Sequence, residues 1–232
     1  MPCMTPRSRD SGPLDRLQAE LVRCRACPRL VAWREEVGHT KKRAHLGDDY
    51  WARPVPGFGD PAARLIVFGL APGAHGSNRT GRPFTGDASG RFLYDALCRA
   101  GLSTAPESLH REDGLALRGV YITAAVRCAP PANRPTREEI AACAAWTTRE
   151  LERLPETRAF LALGRIGHDA LLAHHGMRPS AHPFAHEAEH ALPGGRALVD
   201  SYHVSRQNTN TGRLTRAMFD RALRRAMRRA GL

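Results

Sequence analysis

The chain contains no run of about 18 apolar residues, which excludes a membrane-spanning helix, and its N-terminus lacks the apolar core of a secretory signal. Both absences lead to the expectation of a soluble protein kept in the cytoplasm, with no membrane partner. In that reducing compartment six cysteines are poor material for a disulfide framework, so paired spacings are read first as metal or cluster ligands. Acidic residues are scarce as well. Only 23 Asp and Glu face 35 Lys and Arg, a net charge of +12, which sets up a field that draws polyanions, nucleic acid being the commonest.

What is present suits one folded domain. The 232 residues are 42% hydrophobic, enough for a full core. Met1 to Pro13 is polar, broken by Pro and Gly, and reads as a disordered leader carrying Cys3; residues 14–232 form the expected domain. Leu14 to Val22 has helical spacing, and Gly38 to Pro61 reads as an irregular connector. From Arg64 the pattern changes to short apolar runs alternating with helical ones. Strands are predicted at Leu65 to Phe68, Val120 to Thr123, Phe160 to Leu163 and Ala197 to Val199. Helices are predicted at Gly90 to Ala100, Thr136 to Leu154, Ile166 to His174 and Leu214 to Ala230, the second opened by a capping box of Thr136 and Glu139. Continuous apolar strands alternating with helices imply an α/β fold, a three-layer αβα arrangement around a mostly parallel four-stranded sheet. Ligands of such sheets bind beyond the strands' carboxyl ends. Three polar, glycine-bearing loops should meet there: Gly69 to Gly90, Ala124 to Pro135 and Ser201 to Gly212.

Cys24-x-x-Cys27 places two thiols within reach of one centre, and Cys128 and Cys143 can supply two more. Four soft ligands suit zinc or an iron-sulfur cluster, and spacing alone does not choose between them. The role inferred is structural, tying the N-terminal segment to the loop after the second strand. Cys98 falls at a buried helical position and needs no role beyond packing.

The first loop reads Gly69-Leu70-Ala71-Pro72-Gly73-Ala74-His75-Gly76-Ser77-Asn78-Arg79-Thr80-Gly81-Arg82-Pro83-Phe84-Thr85-Gly86-Asp87. With Arg127-Cys128-Ala129-Pro130-Pro131-Ala132-Asn133 and Ser201-Tyr202-His203-Val204-Ser205-Arg206-Gln207-Asn208, it closely resembles the family 5, type B, uracil-DNA glycosylases of the iron-sulfur-containing superfamily. The resemblance covers nearly the whole chain after the leader. It implies a [4Fe-4S] cluster on the four cysteines, a DNA substrate carrying uracil or another deaminated base, and a role in base excision repair.

Base excision requires that the target nucleotide leave the stack and enter a closed pocket. Gly69, Gly73 and Gly76 permit close backbone approach, and Phe84 offers a face for the extruded ring, although a core aromatic or a plain turn would explain the same residues. Gly73, Ala74, Phe84 and Asn208 are the candidate base-binding set. Breaking the bond to C1′ leaves negative charge on the base, which a neutral imidazole from His203 could stabilise, as the resemblance implies. Asp87 or Asn133 could orient the attacking water, and each also suits a cap or turn. No lysine stands in these loops, which argues for hydrolysis without strand cleavage. Arg79, Arg82, Ser205 and Arg206 are candidate DNA contacts, with Arg213, Arg216, Arg224 and Arg225 of the closing helix beside them. Leu70 and Ala71 stand where many uracil glycosylases carry an acid or amide, a trait of type B members, so hypoxanthine and oxidised pyrimidines are plausible further substrates. Val204 stands where the commoner family text has proline, which suggests a less rigid loop. A monomer is expected. The alternatives are a catalytically silent iron-sulfur DNA-binding or damage-sensing module and an enzyme that traps the damaged strand covalently through its histidine.

Overall fold

The computed structural model describes residues 12–232, so most of the expected leader, with Cys3, lies outside the described residues. Helices α1 (Pro13–Leu21) and α2 (Pro28–Thr40) come first, followed by β1 (Phe58–Gly59), β2 (Leu65–Gly69), α3 (Ser77–Thr80) and α4 (Ala88–Arg99). Then come β3 (Val120–Ala124), α5 (Arg137–Leu151), β4 (Ala159–Leu163), α6 (Arg165–His174), β5 (Glu189–Leu192), β6 (Arg196–Ser201), α7 (Arg206–Asn210) and α8 (Arg216–Ala230). The expected irregular connector is shorter than the sequence suggests. Its first residues belong to α2, whose start is marked by Pro28 in the first turn, where its missing N–H costs nothing.

Six strands form one sheet in the order β1-β3-β2-β4-β6-β5. The four expected strands are its parallel centre, with Leu65 opposite Val120 and Ala159, and Ala159 opposite Ala197. The sheet is therefore two strands wider than the four expected. β1 and β5 run antiparallel on the two edges. One has only two residues and the other, Glu-His-Ala-Leu, is half polar, so neither carries the apolar run that marks a central strand.

Alternation along the strands sends side chains to two cores. Leu65 and Val67 meet Leu93 and Leu97 of α4 and Phe219 and Leu223 of α8. On the opposite face Ile66 and Phe68 meet Leu151 of α5 and Leu171 and Leu172 of α6. Each fully buried side chain of this size contributes about 1.5–3 kcal/mol, so helices on both faces are the arrangement that removes β2 and β4 from water entirely. The helix starts are set by side chains: Asp87 caps α4, Thr136 and Glu139 form the capping box of α5, and Thr215 caps α8. The end of α8 returns to the strand starts, where Leu232 packs against Gly119.

A buried polar network fixes the loop after β3. Arg127 and Glu150 of α5, each with side-chain exposure of 2%, form a two-pronged ion pair at 3.0 and 2.6 Å. Tyr121 and Thr123 also donate to Glu150, and Gln18 of α1 donates to the Tyr121 hydroxyl. Every lone pair of the carboxylate thus has use, which is what makes a buried charge tolerable. No helix among the described residues is long and apolar enough to cross a membrane.

Candidate active site and cysteine pocket

The three expected loops leave the carboxyl ends of β2, β3 and β6. The first two continue the sheet's pairing after the strands end, Ala125 N–H donating to Gly69 and Val126 N–H to Leu70. The first loop then folds on itself. Ser77 Oγ accepts from the Phe84 N–H at 2.9 Å, and the Tyr94 hydroxyl donates to the Pro83 carbonyl at 3.0 Å. Phe84 sits at φ +52°, a left-handed conformation that costs a bulky residue energy and persists only where its surroundings impose it. Those surroundings include two glycines. A Cβ at residue 69 would lie 3.0 Å from the Phe84 ring, and one at residue 90 would overlap the Phe84 carbonyl.

Asp87 has two duties. One carboxylate oxygen accepts from the Gly90 N–H at 2.9 Å to start α4, and the other lies over the glycine turn. A Cβ at residue 73 would come within 3.2 Å of that second oxygen, and one at residue 76 would collide with it. Burial pushes the Asp87 carboxyl above its usual range, against the lowering effect of its backbone N–H bonds.

His203 meets Phe84 from the third loop. Their ring centroids are 6.1 Å apart with planes inclined at 35°. No hydrogen bond reaches either nitrogen of the imidazole among the described residues, and burial lowers its pKa to about 4. The ring is therefore neutral near pH 7, with both nitrogens open to a ligand. Gly164, at φ +94° after β4, packs behind it; a Cβ there would touch the His203 Cβ at 3.4 Å. Gly164 is a neighbour of the candidate His203 that sequence patterning did not single out, and a glycine between an apolar run and a helix start is the signal that marks it. Val204 is fully buried in the core on the α4 and α8 face, so packing anchors this loop where proline would otherwise stiffen it.

Other expected residues are placed differently. Asn208 stands behind the loop, its side-chain amide donating to the His203 carbonyl at 2.8 Å, and Ser205 caps α7 by accepting from the Asn208 N–H. Both shape the loop. Gly73 and Ala74 remain half-buried in the glycine turn, while Asn133 is exposed at φ +55° and, among the described residues, no hydrogen bond joins it to Asp87 or His203. Arg79 and Arg82, expected on phosphates, are turned inward. Arg79 donates to the His75 and Gly86 carbonyls and to Asp48. Arg82, 5% exposed, pairs with Asp113 at 2.7 Å and donates to the Arg111 carbonyl. These bonds spend both guanidiniums on holding the loop. Arg206 and Arg213 are exposed, and Arg213 lies over the Tyr202 ring at 4.8 Å.

Cys24, Cys27, Cys128 and Cys143 line one pocket together with Leu30 and Trp146. Arg34, itself buried, donates to Cys128 Sγ at 2.8 Å. Burial pushes the thiols of Cys27, Cys128 and Cys143 up, Cys143 to about 12. No three of the four sulfurs draw within 4.8 Å of one another, a spacing that among the described residues only His168, His190 and Asp200 reach. The cysteines share a pocket but do not close on a single point. Cys98 is half-buried on α4, apart from this pocket.

Residues 56–226 match the family model of the uracil DNA glycosylase superfamily. A type-5 uracil-DNA glycosylase of Thermus thermophilus is 69% identical over 91% of this chain and 96% of its own length. The chain belongs to the uracil-DNA glycosylase superfamily, in its type-5 family. Further members are similar over nearly full length, among them type-5 enzymes of Mycobacterium leprae, 48% identical over 96% of this chain and 98% of the relative, and of Pyrobaculum aerophilum, 48% identical over 98% and 96%. Superfamily membership makes the carboxyl edge of the sheet, where Phe84 and His203 face each other, the place to look for chemistry.

Proposed function

We propose that this protein removes uracil from DNA by hydrolysing the N-glycosidic bond and leaving an abasic site. The observation that carries the reading is the unpartnered, neutral imidazole of His203 opposite the ring of Phe84. An extruded base stacked on Phe84 presents its edge to His203, and a neutral imidazole N–H can donate to the oxygen on which the leaving anion's charge collects. As the bond to C1′ stretches, positive charge grows on the sugar. The Asp87 carboxylate, held over Gly73 and Gly76, favours that charge and can orient the attacking water. Asn133 is assigned to the rim of the site because it is exposed. The loops carry no lysine for a Schiff base, so excision proceeds without strand cleavage. Apolar Leu70 and Ala71 leave few groups to reject other lesions, so hypoxanthine joins the proposed substrates.

Cys24, Cys27, Cys128 and Cys143 would hold a [4Fe-4S] cluster. Four thiols in one pocket supply the soft donors it needs, and no three of them close on one point as the ligands of a single zinc ion would. Bound there, it supplies a cross-link between the N-terminal segment, the loop after β3 and α5. Phosphate contact is assigned to Arg206, Arg213 and Arg216, at the site's end of the molecule.

The test incubates a uracil-containing oligonucleotide with the protein and with His203→Ala, then splits each sample with and without hot alkali. Cleavage only after alkali, lost in the variant, is the expected result. A band of reduced mobility would mean covalent trapping instead, and no change in either sample would mean binding alone.

A further inference from the structure

Behind the third loop lies a second group of titratable side chains. His168 of α6 and Asp200 of β6 are both fully buried, and His190 of β5 is nearly so. His168 Nδ1 lies 2.8 Å from one oxygen of Asp200, and His190 Nε2 lies 3.2 Å from the other. His168 Nε2 lies 2.8 Å from the His182 carbonyl.

The protons of this group can be counted. A carbonyl only accepts, so His168 Nε2 carries hydrogen. If His168 were a neutral imidazole, its Nδ1 would then present a lone pair to a carboxylate oxygen 2.8 Å away, a repulsive contact in a place without water. One further proton between Nδ1 and Asp200 removes it. The remaining carboxylate oxygen accepts from His190. With that proton the buried group is neutral as a whole, consistent with the absence of a Lys or Arg side chain bonded to Asp200 among the described residues. The other groups facing His168 are the Asp169 carboxylate at 4.0 Å and the Phe184 ring, which carries Arg165 on its face.

The group's position gives it a task. Gly164 packs against the His203 Cβ and is also the residue whose carbonyl accepts from the His168 N–H in the first turn of α6. Asp200 precedes Ser201, whose carbonyl accepts from the Gly164 N–H at 2.8 Å. The bond between His168 and Asp200 therefore clamps together the two backbone pieces that meet behind the His203 ring. We infer that His168, Asp200 and His190 form a proton-sharing clamp that positions His203 for excision. The inference rests on the reading of His203 as the acting group. Burial alone would lower the His168 pKa, but its bonds to Asp200 carry it above the ordinary value. A histidine so raised contributes fully below about pH 6.5 and loses its contribution as pH rises through its folded value.

Asp200→Asn separates the proton count from mere packing. Its amide N–H can donate to His168 Nδ1, so the bond survives and the extra proton is no longer required. Single-turnover excision by the intact protein is measured across pH for wild type, Asp200→Asn, Asp200→Ala and His203→Ala, with melting recorded for each. The clamp predicts that Asp200→Ala slows the maximal rate roughly ten- to a hundredfold, as expected of a slightly misplaced group, with half-saturation by substrate unchanged. It also predicts that Asp200→Asn regains most of that rate and loses the wild type's alkaline decline. Equal alkaline decline in wild type and Asp200→Asn would overturn the proton count, as would stoichiometric zinc lost on His190→Ala. An Asp200→Ala protein that stays folded at the wild-type rate would overturn the clamp. Full activity in His203→Ala would instead overturn the reading on which the clamp rests, a separate result.

Discussion

At the residue scale, burial settles the protonation state of His203, and it does so at a measurable cost to folding. The unfolded chain takes up a proton at about pH 6.5, whereas the folded ring resists one until about pH 4. Stability from this group is complete above about pH 6.5 and is lost as pH falls toward 4, the opposite direction to His168. His203→Gln should narrow that acid loss, so the difference in melting temperature between wild type and variant should change sharply between about pH 7 and pH 4.5. Parallel curves would mean that the imidazole is hydrated. Excision, by contrast, should fall at least about a hundredfold in His203→Ala, the usual scale for removing a donor to a developing anion. The sequence could name His203, since it follows a strand and precedes a polar loop. It could not reveal that Asn208 and Ser205 serve the loop's own backbone, because a side chain that caps or braces has the same composition as one that reads a base.

At the scale of elements, the legible parts are those where local chemistry and tertiary packing agree. Leu65 to Phe68 is apolar at every position because helices cover both of its faces, and the capping box at Thr136 and Glu139 fixes α5 within a residue of its expected start. Edge strands β1 and β5 gave no such signal. Arg79 and Arg82 misled for another reason: a guanidinium is almost always exposed, and only tertiary partners reveal the exceptions. Two variants test these placements. Gly90→Ala would improve intrinsic helix propensity by about 1 kcal/mol, yet its Cβ meets the Phe84 carbonyl, part of a left-handed residue that cannot move freely. It should destabilise by about 1–3 kcal/mol on urea unfolding, the ordinary cost of overpacking, and a more stable protein would disprove the packing described. Arg127→Met, which leaves Glu150 buried without its cation, should cost about 3–5 kcal/mol. Arg127→Met with Glu150→Gln should recover part of that loss, since the amide carries no charge, its oxygen still accepts from one of Tyr121 and Thr123, and its N–H can donate to the hydroxyl oxygen of the other.

For the whole molecule, charge and topology together decide where DNA can lie. A net charge of +12 attracts a polyanion from any direction, but the edge that carries the proposed site is defined by the ends of β2, β3 and β6. Helix α8 starts at that edge and runs away from it, with its far end packed near the strand starts at Gly119. At 1.5 Å per residue, Arg224 and Arg225 lie about 12 Å further from the edge than Arg216; Arg221 and Arg229 are closely paired with Glu187 and Glu189, whereas the exposed Arg216 makes a looser contact with Asp95 at 3.7 Å. The closing helix's basic residues are therefore not equivalent, although sequence alone groups them. Each phosphate contact adds about 0.9 to the slope of log affinity against log salt. Arg206→Ala should lower that slope by about one for a uracil-containing duplex, while Arg224→Ala should leave it unchanged. The measurement is binding across a salt series with the His203→Ala protein, so that no substrate is consumed. If both arginines shift the slope equally, DNA spans the length of α8, and the placement of the phosphate track at the carboxyl edge is wrong.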